Sequence, residues 1–531
     1  MTLRENSINI LTALLLAFTA SCSSGNSGAG DSSTITSDSL RRDSIAEAQR
    51  EAALSPFPDT IFPSAQDVNV VIDRQDSTDG KLTTLKDLYS HAPGTLTFRK
   101  NEARDANFGG KIDSIPSSFN IDWEFKTRED YKPTKYGTWG GGTGWTGQPL
   151  YVEWPDSTLK RFREAGITSA AREIIVGSLC GDVCFINYET GQATRPAIYT
   201  GNPIKGTISI DPTFNGNLYV GQGVATEQFP VRALVIDLFK SEITHEFGPD
   251  PKAPRHWHAY DSSAIRVGQF LFRPGENGVL YKYIVSPGTL KLHSAARYHV
   301  QGLAPGIESS MAVCRNYGYT GDNRGNVICW NLNTLQPVWH YKLPDDIDAT
   351  PVIEMEGETP FIYASCEVEH SGVTTAHFVK LNGLTGERVW LNETPAQRAN
   401  VGEKHFDGGF YSTPLLGAGN CKDLIFTNVV HNLKGQNGSF IAIEKASGKI
   451  RYSIPLKHYA WSSPVGFMTP EGDQIIVTFD CSGNGYIING REGKIISSQK
   501  IGANFESSPV VIGNTLVIGS RGSKVYRLSL R

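Results

Sequence analysis

ESSPVVIGNTLVIGSRGSKVYRLSLR, residues 506–531, holds three short apolar runs and no fourth. Residues 508–512, 515–519 and 524–530 each read as a strand, separated by Gly, Asn and Ser turn chemistry. The opening frame of this stretch recurs along the chain, as WSSPVGF at 461–467, YSTPLLG at 411–417, DATPVIE at 348–354, ESSMAVC at 308–314 and DSSAIRV at 261–267. Small residues open each copy and apolar ones follow. Later in each unit come a second strand (LIFTNV, QIIVTF, LYVGQ, EIIVGS), a third after a Gly-containing turn (GDVCFIN, GNVICWN, GSFIAIE, GYIINGR) and a fourth (TGERVWLNE, SGKIRYSIP, EGKIISSQK, LQPVWHYKL).

Four short antiparallel strands repeating every 40 to 50 residues or so make one propeller blade. Counting first strands from Gly147, Gly206, Ser262, Ser309, Ala349, Ser412, Ser462 and Ser507 predicts an all-β chain, an eight-bladed β-propeller of four-stranded antiparallel blades. The eighth blade lacks its own fourth strand. FNIDWEFKT at 119–127 is an orphan strand at the other end, and its Trp123 holds the position that Trp339 and Trp390 hold in theirs. We therefore expect the N-terminal strand to complete the last blade, which pairs edges that an open ring would expose.

The bulk composition agrees. The chain has 531 residues, 39% hydrophobic and 20% charged, with a formal net charge of -4, so no basic excess points to nucleic acid. Fifty-four Gly and 20 Tyr beside four Met favour a large β body over a helical one.

Residues 8–18 are an apolar run too short to span a bilayer, followed by Thr19, Ala20, Ser21 and Cys22. This resembles a bacterial lipobox, although Thr19 stands where Leu is usual. The resemblance implies cleavage after a signal peptide at 1–21, lipidation of Cys22, a membrane tie through that lipid and a place in the bacterial cell envelope as an outer-membrane lipoprotein facing periplasm or cell surface. Both this reading and an ordinary secretory signal export the chain. The Ser/Gly tract after Cys22 cannot bury enough apolar surface to fold, so 22–60 reads as a tether. Residues 61–96 read as a lead-in, and 97–531 as the propeller.

The TG-x-x-x-W and SSPVV frames, with FRKNEARDANFGG at 98–110, resemble the PQQ-type, quinoprotein-like β-propeller repeat over about residues 97–531. That family includes quinoprotein alcohol dehydrogenases and also cofactor-free members, among them the eight-bladed lipoprotein of the outer-membrane protein assembly machinery. In the dehydrogenases, the resemblance implies, a quinone stacks between a tryptophan and a ring of two adjacent oxidised cysteines, beside a calcium. This chain has no adjacent cysteine pair. Cys180 and Cys184 flank a predicted turn, where a hairpin disulfide and two free thiols both stay open. Residues 345–348, DDID, offer carboxylates but read as a solvated turn before a strand.

Function is expected at one face, where the loops that lead into the first strands open around the channel. Those positions are Thr146, Lys205, Asp261, Glu308, Asp348, Tyr411, Trp461 and Glu506, four of them acidic. The same loops carry Trp139, Trp145, His256, Trp257, His258, His405, Asp407, His458 and Tyr459. Aromatic planes beside carboxylates and His suit a polar ligand, a sugar or peptide segment, or an envelope protein. We expect a binding scaffold without catalytic residues, metal or redox cofactor. The alternatives are a PQQ- and calcium-dependent dehydrogenase and a glycan-binding or glycan-cleaving surface protein.

Overall fold

A computed structural model describes residues 54–531, apart from 135, 136, 146, 227, 371, 402, 403 and 433–436. The expected signal peptide, Cys22 and most of the tether lie outside the described residues, as does Thr146. Among the described residues no helix is long and apolar enough to cross a membrane.

The chain is an all-β, eight-bladed propeller of antiparallel blades. The first strands begin at Leu150, Ser209, Ile265, Ala312, Val352, Leu415, Val465 and Val510. Each lies three residues after its expected start, because the small residues of the frame run in extended backbone at the channel wall before the ladder begins. We number the blades 1 to 8 in that order. The first strands are short, whereas the second and third strands of each blade are buried almost throughout, as in Gln474–Phe479 and Asn326–Asn331. Blade 8 joins Val510–Ile512, Thr515–Ser520 and Lys524–Leu530 to Phe119–Lys126, paired from Phe119 opposite Leu530 to Lys126 opposite Lys524 with a bulge between Ile121 and Trp123.

Two repeated devices bind neighbouring blades, and both explain the sequence frames. The second small residue of each frame carries a hydroxyl that accepts from the backbone N–H of the preceding blade. Ser263 donates to Ser310 (2.9 Å), Ser310 to Thr350 (3.0 Å), Thr350 to Thr413 (3.1 Å), Thr413 to Ser463 (3.0 Å) and Ser463 to Ser508 (3.2 Å). The ring continues where Ser508 N–H donates to the Gly147 carbonyl and Gln148 N–H to the Thr207 hydroxyl. A larger side chain would hold the inner strands apart.

The second device lies outside. Trp339 of blade 4 donates its indole N–H to the Gly383 carbonyl (2.8 Å), and its ring covers Gly386 of blade 5. Trp390 repeats this on Lys445 and Gly448, and Trp123 on Tyr188 and Gly191. Tyr452 substitutes its hydroxyl on Gly490, over Gly493. All four glycines have φ between +68° and +76°, and a Cβ on Gly386 would stand 2.7 Å from the Trp339 ring. Trp123 thereby ties blade 8 to blade 1.

The lead-in is built into the propeller. Val68–Arg74 pairs with Thr289–Val300 as an outer fifth strand on blade 3. Residues 94–112 then cross the central channel and touch every blade. Gly94–Thr95 pairs with Leu150–Glu153 of blade 1, and the Leu96 carbonyl accepts from Ile210 of blade 2 (2.8 Å). Phe98 N–H reaches Ser263 at the head of blade 3. The carbonyls of Glu102 and Ala103 accept from Val313 of blade 4 (2.7 Å) and Ile353 of blade 5 (3.0 Å). Arg99 donates to the carbonyls of Pro414 (2.8 Å) and Pro464 (2.9 Å), ahead of blades 6 and 7, and Lys111 N–H to Gly513 of blade 8 (3.0 Å). Arg99 and Arg104 are fully buried. Burial pushes the Arg99 guanidinium down to about 9. The central channel is therefore filled by the chain's own lead-in.

All seven described cysteines are free thiols, including Cys180 and Cys184, so the hairpin disulfide does not form. Cys314 is half-buried and the others buried.

Candidate functional site

The segment across the channel leaves a shallow mouth on the face where the first strands begin. Its floor is Phe98, and Trp145, Thr207, Asp261, Glu308, Asp348 and Thr413 are among its walls. The cavity measures about 20 Å³, room for a single water-sized group.

Three of the residues selected by position, with Trp145 of the same loops, meet on one side. Lys205 Nζ is paired with Asp261 and lies 3.5 Å from Glu308. Trp145 donates its indole N–H to Glu308 (2.9 Å), and its ring stands 4.5 Å from the ammonium. Trp145 takes a left-handed backbone, φ 58°, which directs its ring over the mouth. Burial alone would push Lys205 down; Asp261, Glu308 and Glu276 reverse that and hold it above its ordinary value.

Around this pair stand further carboxyls. Glu276, at the end of blade 3's second strand, places an oxygen within 4.8 Å of those of Asp261 and Glu308. Glu367, just past the second strand of blade 5, is 3% exposed, and its side chain meets Asp348 and the Tyr411 hydroxyl. Burial, reinforced by Glu308, pushes Asp346 and Asp348 well up, with Glu369 and Asp322 adding repulsion at Asp346 and Asp346 adding it at Asp348. Burial does the same to Glu367, with Asp348 and Asp346 adding repulsion. Position-by-position reading missed Glu276 and Glu367. The signal was available, since an antiparallel second strand ends on the face where the first begins, and LFRPGE and YASCEVE both carry Glu there.

DDID at 345–348 is a correction to the sequence reading. Asp345 is fully buried rather than solvated. Its carboxylate accepts from the backbone N–H groups of Asp346 (2.9 Å), Glu369 (2.8 Å) and His370 (2.9 Å), and it pairs with the His370 ring. Glu367 N–H donates to the Asp346 carbonyl (2.8 Å). The turn is thereby pinned to the end of the second strand, which gathers Asp346, Asp348 and Glu367.

The remaining selected residues divide. Trp461 stacks on Tyr411 (4.9 Å, 25°) and meets Trp145 edge-on (5.9 Å), while His458 packs on Tyr459, which packs on Trp461. These rings form one wall. Glu506 is committed to structure, since it accepts from Asn504 (2.7 Å) and Trp145 N–H (3.3 Å) and pairs with Arg521. His258 lies beside His256, 6.4 Å between ring centroids, with Asp250 nearby, and does not line the mouth cavity. The side chains of His405 and Trp139 lie outside the described residues.

The quinoprotein resemblance sets a test of fit. Asp261, Glu276 and Glu308 have the oxygen chemistry for a divalent cation, but the Lys205 ammonium already lies against two of them. A tricyclic quinone bearing three carboxylates does not fit. The cavity is far smaller than the several hundred Å³ that cofactor sites of roughly this kind occupy, and its walls are acidic.

No family model matches the chain, and no curated protein matches it in sequence. Solved structures do match. The quinohemoprotein alcohol dehydrogenase of Comamonas testosteroni superposes with a TM-score of 0.58 at 11% identity, over 83% of this chain and 82% of that one. The quinohemoprotein alcohol dehydrogenase ADHIIG of Pseudomonas putida HK5 gives 0.56 at 10% identity, over 82% and 80%. BamB from Moraxella catarrhalis gives 0.46 at 14% identity, over 68% and 95%. At these identities the likeness is one of fold. The chain has the PQQ-like, quinoprotein-type β-propeller fold.

Proposed function

We propose that this chain is an exported, lipid-anchored binding scaffold of the bacterial cell envelope, which captures a polar ligand or a partner protein's loop at the mouth and uses no redox cofactor. The observation that carries the reading is the set of unmatched carboxyl oxygens on Asp348, which lines the mouth, and on the carboxyls gathered around it. Asp346 Oδ1, Asp348 Oδ1, Glu367 Oε1 and Glu276 Oε1 have no hydrogen-bond partner among the described residues. Buried oxygens without donors are costly in a scaffold and useful in a site.

The dehydrogenase reading requires the mouth to open by displacing Trp145, and the glycan reading requires a free aromatic face, whereas Tyr411 is 7% exposed and covered by Trp461. The test is capture of ligands and envelope proteins by the wild type and by Glu308→Gln with Asp348→Asn. We expect an intact fold and loss of the captured species; unchanged capture removes the mouth from function. Reconstitution with quinone and calcium is expected to give no dye reduction with alcohols or sugars. For the anchor, Cys22→Ala is expected to shift the protein from the detergent phase to the aqueous phase; no shift refutes lipidation.

A further inference from the structure

The mouth is built of two similar halves about Glu308. On one side blade 3 supplies Asp261 before its first strand and Glu276 after its second. On the other, blade 5 supplies Asp348 before its first strand and Glu367 after its second. Each half has an aromatic ring against it, Trp145 over the first and Tyr411 beside Glu367 in the second. The first half holds a cation, the Lys205 ammonium, clamped between carboxylates under an indole. Among the described residues no Lys or Arg forms an ion pair with Asp346, Asp348 or Glu367. Glu367 is 3% exposed with Oε1 unpartnered, and Asp346 and Asp348 each have an unpartnered oxygen.

From this we infer that the second half is a seat for one primary ammonium group, supplied by a ligand that docks at the mouth. The inference rests on the mouth being the binding surface and adds the chemistry of what it takes. Size favours this group: Asp348 and Glu308 line the cavity of about 20 Å³, which accepts an –NH₃⁺ and excludes a quaternary ammonium or a pyranose, and Glu367 meets Asp348 behind it. An ammonium has three donors and can satisfy several carboxyl oxygens at once. Thr350 and Thr413 line the same cavity and add polar edges. The carboxyls of this half are pushed up by burial, so an arriving cation should displace protons from them.

The experiment uses the full chain and two amine probes, methylammonium chloride and Nα-acetyl-lysinamide, the first standing for a free small amine and the second for a lysine side chain of a partner. Tetramethylammonium chloride and calcium chloride are the comparison salts. Calorimetry in two buffers of different ionisation enthalpy should show saturable amine binding with proton release, and none with tetramethylammonium. Tighter binding of the lysinamide assigns the seat to a protein partner, and tighter binding of methylammonium to a small amine. Asp348→Asn with Glu367→Gln should weaken either at least tenfold. The wild-type contrast between methylammonium and tetramethylammonium needs no variant and stands if that protein fails to fold. Equal binding of the two, or none, overturns the ammonium seat. Calcium binding without amine binding, lost in the variant, overturns it while leaving the mouth as a binding surface. Absence of all binding together with unchanged partner capture in the variant overturns both.

Discussion

Gly386 and Trp339 show how a single position carries the architecture. The glycine is left-handed, φ 76°, and its Cα face is roofed by the indole. Gly386→Ala should cost about 1–3 kcal/mol for the backbone alone, and more as the ring is pushed off. Trp339→Phe should cost less, about 1 kcal/mol for the lost hydrogen bond, because the Gly383 carbonyl keeps the Tyr319 hydroxyl (3.2 Å). Urea denaturation of both variants checks the order, and an alanine as benign as the phenylalanine contradicts it. Asp407 gives a pH effect. Burial, with Glu369 adding repulsion, pushes its carboxyl up to about 6 from an ordinary 3.8. A carboxyl raised by folding contributes stability below its unfolded value and loses it as pH rises through the folded one. The stability of Asp407→Asn relative to wild type should therefore climb from about pH 4 to about pH 6 and then level off; a pH-independent difference contradicts this. At this scale Lys205, Asp261, Glu308 and Asp348 were legible because position in a repeat fixes position around a ring. Glu276 and Glu367 needed the second strand's direction as well. Glu506 was legible as a place but not as a role, since its partner Arg521 comes from the turn after the second strand of its own blade.

At the level of elements, the strand Phe119–Lys126 is the case where sequence reading went furthest. A missing fourth strand and an orphan with a matching Trp are local observations, and edge pairing makes them one statement. Deleting 524–531 removes the hydrogen-bonding neighbour of Phe119–Lys126 and the outer neighbour of Thr515–Ser520 together. The truncated chain should lose cooperative unfolding or self-associate; a monomer with an unchanged melting temperature contradicts the pairing. The strand Val68–Arg74 was read only as lead-in. Its sequence, VNVVIDR, alternates weakly, and its partner Thr289–Val300 lies more than two hundred residues away. Among the described residues no other blade carries an outer fifth strand, so comparison among the repeats could not reveal it.

For the whole molecule, residues 94–112 outweigh any single blade. Reading FRKNEARDANFGG as part of a familiar frame did not say where it goes, because its partners are main-chain groups and scattered single side chains such as Asp87, Gln148 and Ser263, which leave no signature in composition. Arg99 is its centre, with donors to the carbonyls of Pro414 and Pro464. Arg99→Met keeps much of the volume but strips both carbonyls of a charged donor, a loss of about 2–5 kcal/mol. Thermal and urea unfolding should show it as a global destabilisation, whereas a loss confined to blades 6 and 7 by hydrogen exchange would mean that the segment only fills space.

That crossing segment also acts as a ruler. Its contacts are encoded ahead of the blades and reach all eight, with Arg99 alone holding the heads of blades 6 and 7. A tandem duplication that added a blade would create a unit with no group in the segment to meet it, and loss of one would leave a group with nothing to hold. Repeat families change length readily where each unit meets only its neighbours. Here every unit also answers to a segment that is not a repeat, so the number of blades is inherited as a fixed quantity and can change only if that segment is rewritten with it.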